Sequence, residues 1–126
     1  MDEALAMQIV GGVCLLIGMK MNIDPKGFNE DIFGKEAHES SLGEMNALRM
    51  AIGGGVLAVA INLICSLTMD DANSMAALLT ASAVGLTLFL VTIIGANLRG
   101  YTEEIPKLPM IVLPILATVS LVGAYV

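Results

Sequence analysis

The feature that most restricts the fold of this chain is where charge is missing. The stretches Ala4–Met19, Ala51–Met69, Ala72–Leu98 and Leu108–Val126 hold no Asp, Glu, Lys, Arg or His. A helix that crosses a hydrocarbon core of roughly 30 Å needs about 20 residues at about 1.5 Å each. Three of the stretches reach or approach that length. The first is shorter, but the Lys20 stem can snorkel and let the span run on toward Ile23. A soluble four-helix bundle is the competing fold, and each of its helices would need a polar stripe facing water. Segments 56–64 and 85–95 have no such stripe. Only 14% of residues are charged, against about 25% in an ordinary soluble domain. The expectation is an all-α membrane protein, a four-transmembrane-helix bundle forming one integral membrane domain over 1–126. Its spans are placed at 4–21, 45–68, 72–98 and 108–126, with a polar loop over 22–43.

Charge also limits partners and placement. The net charge is −6 and no basic stripe exists, so nothing favours a nucleic-acid partner. Cys14 and Cys65 fall inside predicted spans and read as small buried hydrophobes, not as a metal pair or a disulfide framework. Asp2-Glu3 stands where a signal peptide carries Lys or Arg, so the first helix is expected to be retained. Lys20, Lys26, Lys35 and Arg49 flank the first loop, and Arg99 and Lys107 flank the third. Four spans place both loops on one side, which the positive-inside rule makes cytoplasmic. The reading is a multi-pass protein of the cell (cytoplasmic) membrane with both termini non-cytoplasmic.

Helix ends are marked locally. Asp24-Pro25 stops the first helix, because proline disfavours helical geometry in the residue before it. In the loop that follows, 28–33 is expected to form a short interfacial turn presenting Phe28, Ile32 and Phe33. Ser41 and Glu44 have capping-box spacing ahead of the second span. Asp71 or Asn73 is placed to cap the third span, and Arg99-Gly100 to close it. Pro109 suits the first turn of the last span, whereas Pro114 lies inside it.

The candidate functional residues are few. Small residues recur at helical spacing: Gly11 and Gly18; Gly54, Ala58 and Asn62; Ala77, Ala81 and Gly85; Ala117 and Ala124. In lipid such faces let helices approach closely. Packing within the bundle accounts for them, and so does contact with another copy. The triplet Gly53-Gly54-Gly55 allows close contact with a helix or a flat ligand. Asn62 needs a partner if buried. Thr80, Ser82, Thr87, Thr92, Thr118 and Ser120 are candidates to supply one as interhelical glue, and a polar solute path is the alternative. No acid or base lies deep in a span, which argues against a proton-coupled antiporter. Arg49, following Asn46, is placed as an interfacial anchor that bonds lipid phosphate or the carboxylates of Glu103 and Glu104. His38 among Glu36 and Glu39 is a partial donor set with no diagnostic spacing, and no metal is assigned to it. Methionines are scattered through apolar spans and read as core filler.

The run from Glu44 through Arg49 to Gly54-Gly55 resembles the start of the second helix in a family of small bacterial membrane proteins. That family is the domain of unknown function 4345, grouped with DoxX-like proteins. The shared pattern is Asn/Glu–Leu–Arg followed by a glycine pair, here Asn46, Arg49, Gly53 and Gly54. The resemblance implies four helices with a long first loop, and no activity comes with it. This chain departs from the family where Gly95 and Arg99 stand four apart at the end of the third span. No nucleophile–base arrangement, phosphate loop or haem ligand pair is present. The functional expectation is therefore a non-catalytic protein without a cofactor, acting by association with the lipid bilayer and with other membrane-protein subunits or itself. A channel or carrier for a small neutral or anionic solute is one alternative, and a quinone- or pigment-binding redox subunit is another.

Overall fold

The computed structural model describes residues 1–35 and 38–126. Five α-helices follow one another: α1 (Glu3–Ile23), α2 (Pro25–Phe33), α3 (Leu42–Cys65), α4 (Ala72–Leu98) and α5 (Lys107–Tyr125). Single 3-10 turns at Glu39–Ser41 and Ser66–Thr68 extend α3 at both ends. All but α2 are long and apolar enough to cross a membrane. Among the described residues there is no strand.

Most of the boundaries follow from capping chemistry. The Asp2 carboxylate accepts from the Leu5 amide at 2.6 Å and opens α1. Asp24 acts twice. Its amide donates to Lys20 O and closes α1, while its carboxylate accepts from the Gly27 amide at 3.0 Å and opens α2. Pro25 then occupies the first position of α2, where its missing N–H costs nothing. The polar loop therefore contains a full helix where a short turn was expected. The capping box at Ser41 is not formed. A 3-10 turn already leads into α3, and the Ser41 hydroxyl donates instead to His38 O at 3.2 Å. Asp71 caps α4 as expected, accepting from the amides of Asn73 and Ser74 at 3.2 Å each. The hydroxyl of Ser74 also donates to it. These donors hold the Asp71 carboxyl below the usual carboxylate range. Gly100, at φ +81°, closes α4. Its amide donates to Asn97 O and the Tyr101 amide to Ala96 O, which satisfies two orphan carbonyls.

Helix α1 is the centre of the bundle. It packs on α3 along most of its length and on α5 and α4 on its other side, while α4 packs on α5. Ala6, Met7, Val10 and Cys14 of α1 meet Ala60 and Leu63 of α3, Leu79 and Ala83 of α4, and Leu116 and Ala117 of α5 in one core. Close approach is set by glycine. A Cβ on Gly18 would lie 2.8 Å from Leu57 Cγ and 3.0 Å from Gly53 O, and one on Gly53 would lie 2.7 Å from Met21 Cβ. Gly11 faces Ala60 and Leu63 in the same seam, and Gly123 of α5 is seated on Ala6.

Sequence neighbours α3 and α4 do not pack on each other, although only the 66–71 connection separates them. The helices therefore form an open C in cross-section, in the order α3, α1, α5, α4. The gap in that C defines the candidate site.

Candidate functional site

A cleft of about 520 Å³ fills the space between α3 and α4. Its floor is α1 and α5, through residues such as Cys14, Ile17, Leu113 and Leu116. One wall is α3, with Ile52, Gly55, Val59 and Asn62, and the other is α4, with Ala81, Gly85, Phe89 and Ile93. The outer wall residues are exposed, so the cleft opens sideways, toward the space lipid would occupy. Among the described residues the lining is apolar apart from Arg49, Asn62 and Ser82, and Arg49 is its one charged residue. The volume falls within the roughly 300–1,000 Å³ typical of ligand pockets, which are likewise apolar with a few placed polar groups.

Arg49 lies seven positions into α3, about 10 Å along the axis from its start. Its Nε donates to Asn29 Oδ1 at 2.6 Å, and the guanidinium carbon sits 5.3 Å from the centroid of the Phe28 ring. Asn29 is 5% exposed and donates in turn to Asn46 Oδ1 at 3.4 Å. Phe28 is buried as well. Both are presented by α2, whose residues 25, 28, 29 and 32 share one face. That helix thus holds the guanidinium and fixes its direction, since a ring face and a buried amide oxygen both attract the cation.

The acidic partners expected for Arg49 are elsewhere. Glu103 forms an exposed ion pair with Lys35 Nζ at 3.6 Å, and Glu104 is exposed. The Lys35–Glu103 pair joins the first and third loops at one end of the bundle. Lys20 and Lys26 pair with Asp31 and Glu30 of α2, at 3.0 and 3.8 Å. These nearby partners occupy the loop charges, and the Asn29 amide reaches Arg49 first. Among the described residues, no carboxylate lies within ion-pair distance of Arg49. The Asn29 contact was not anticipated. Its signal was the 3–4 spacing of Phe28, Asn29 and Ile32, which places an amide on the inner face of α2.

Asn62 likewise has no interhelical hydrogen bond among the described residues. It is exposed on the cleft wall, one turn from the end of α3. The six hydroxyl residues expected to serve it each donate to the carbonyl four positions back in their own helix, at 2.8–2.9 Å. A hydroxyl satisfied within its own turn has no need of a neighbouring helix. Among the described residues only Thr80 of these six has a further partner, the Tyr125 hydroxyl at 3.0 Å.

The glycine triplet separates into three directions, as successive residues on a helix must. Gly53 is buried against α1, Gly54 faces outward, and Gly55 lines the cleft. Ala58 is exposed on the outward side with Gly54, whereas Ala81 and Gly85 line the cleft from α4. Nothing lies within 4 Å of a Cβ built on Gly54, Gly55 or Gly85. Intrachain packing therefore accounts for Gly11, Gly18, Gly53 and Gly123 and leaves Gly54, Gly55 and Gly85 without a neighbour among the described residues. Among the described residues no three His, Cys, Asp or Glu side chains group closely enough to hold an ion. Of the His38 cluster, Glu36 lies outside the described residues. No protein-family model, curated protein or solved structure matches this chain.

Proposed function

We propose that this chain is a non-catalytic membrane protein that acts by association, as an accessory subunit of a membrane complex or as a homo-oligomer. One observation carries the reading. Gly54 and Ala58 form a small-residue stripe on the outer face of α3 that no helix of this chain covers. Helices in lipid associate through such faces because close backbone approach yields dispersion contacts without burying polar groups. The proposed setting is the cytoplasmic membrane, with both termini outside.

The solute-path alternative draws less support. Its hydroxyl lining is bonded within individual helices, and the cleft that holds Asn62 opens sideways, where lipid would meet it. Gly53, one position of the proposed quinone or pigment contact, is taken by α1.

The test is native electrophoresis after extraction in mild detergent. The wild type should migrate well above its 13.1 kDa monomer. The double variant Gly54→Leu/Ala58→Leu should collapse to a monomer with unchanged helix content by circular dichroism. A monodisperse wild-type monomer would sink the association reading.

A further inference from the structure

We propose that the α3/α4 cleft holds one anionic phospholipid, with its phosphate on Arg49 and an acyl chain along the apolar walls. This goes beyond association, because it uses a different face of α3. The outward stripe contains Gly54 and Ala58, whereas the cleft wall contains Ile52, Gly55 and Val59.

Charge complementarity identifies the occupant. Among the described residues Arg49 is the only charged one on the cleft, and no carboxylate pairs with it. A cation at this depth is costly unless it meets an anion or water. Its Nε is bound by Asn29 and its face is covered by Phe28. The two terminal nitrogens make no hydrogen bond among the described residues and remain available as the fork that phosphate fits. Phe28 and Asn29 act here as positioning residues: they aim the guanidinium and supply no charge of their own.

The surroundings of Arg49 identify the remainder of the molecule. Beside it along the cleft are Ile52, Phe89, Ile93, Leu108 and Pro109, which suit methylene groups and offer a sugar or a nucleotide no donors. Arg49 and Asn62 are 13 positions apart, about 20 Å along α3. One leaflet contributes about half of the roughly 30 Å core, so a chain anchored at Arg49 fits within that length. The sideways opening gives a bilayer lipid direct entry and leaves its second chain in the membrane.

A tryptophan reporter tests this, because the chain has no Trp of its own. Phe89→Trp places it on the cleft wall, and Val84→Trp places it on the exposed outer face of α4. Each protein is reconstituted in phosphatidylcholine vesicles that contain a minor fraction of dibrominated phosphatidylglycerol or, separately, dibrominated phosphatidylcholine. The Phe89→Trp signal should report roughly fivefold enrichment of the anionic lipid, the ratio given by about 1 kcal/mol for one basic residue beside an anionic headgroup. The Val84→Trp signal should show no preference. Arg49→Gln should abolish the preference at Phe89→Trp. Arg49→Lys should keep part of it, and that variant covers the case in which Arg49→Gln fails to fold. Equal quenching by both lipids with Arg49 present, or a preference that survives Arg49→Gln, overturns the proposal. So does a Phe89→Trp signal that neither lipid quenches, which would mean that a protein segment covers the cleft. The association reading fails by a separate measurement, the electrophoretic size, so the two outcomes are distinguishable.

Discussion

Arg49 shows how a buried polar contact differs from a surface ion pair. The Lys20–Asp31 pair is more than half exposed on both sides, and such pairs contribute about 0.2–1 kcal/mol. The Arg49–Asn29 hydrogen bond is partly buried and one partner is charged, a class that contributes about 1.5–3 kcal/mol. Asn29→Ala should therefore lower unfolding stability in detergent by about that amount, with circular dichroism as the readout. In a double-mutant cycle Asn29→Ala and Arg49→Leu should be non-additive, because they remove the same contact. Glu103→Gln combined with Arg49→Leu should be additive within about 0.5 kcal/mol, since Glu103 lies with Lys35. Strong coupling to Glu103 and none to Asn29 would refute this geometry. The sequence marked Arg49 as the charge to examine but could not select its partner. Glu103, Glu104 and lipid phosphate were the partners the residues suggested, and only the placement of α2 brings the Asn29 amide to Arg49.

At the scale of the element, glycine separates helix faces that have partners from faces that lack them. Gly18 and Gly53 bring α1 and α3 together, and added methyl groups there meet backbone oxygen or Cβ atoms that cannot swing aside. Gly18→Ala and Gly53→Ala should each cost about 1–3 kcal/mol by overpacking. Gly85→Ala on the open cleft wall has nothing to meet, and its melting temperature should stay within the change of about 0.5 kcal/mol typical of surface substitutions. If all three variants melted alike, the α1–α3 seam would not be as close as described. The four long helices were legible, because uncharged runs of that length have few other solutions. The cap at Asp71 was legible for a local reason, as a short carboxylate just before an apolar run, whereas Asp24 was legible only as the end of α1. Helix α2 was less so: Pro25–Phe33 is short and polar on one side, and its order depends on Phe28 and Asn29 docking on α3. The use of each small-residue stripe was not readable at all. Gly53 and Gly54 are identical residues one position apart, and only the direction of α1 separates them.

At the scale of the whole molecule, the distribution of charge implies an orientation. The structure brings the first and third loops together through Lys35–Glu103, and the Lys and Arg residues all stand in or beside those two loops. The opposite end, with the N-terminal tail, the Asp70-Asp71 turn and the C-terminal residues, carries acids but no Lys or Arg. Basic residues near span ends resist translocation and acids contribute little, so the cationic end should stay cytoplasmic. A reporter active only outside the cytoplasm, fused after Val126, should therefore be active, and a fluorescent reporter that matures only inside should be dark. A graded response is expected as well. Extra lysines placed beside Val126 should shift the population toward the inverted form, because the rule counts local Lys and Arg on each side. Replacing Glu103 and Glu104 with glutamine should leave orientation unchanged. A C-terminal fusion that fluoresces inside the cell, with the native charge pattern intact, would place the loops outside. The Arg49 end of the cleft would then draw its lipid from the outer leaflet.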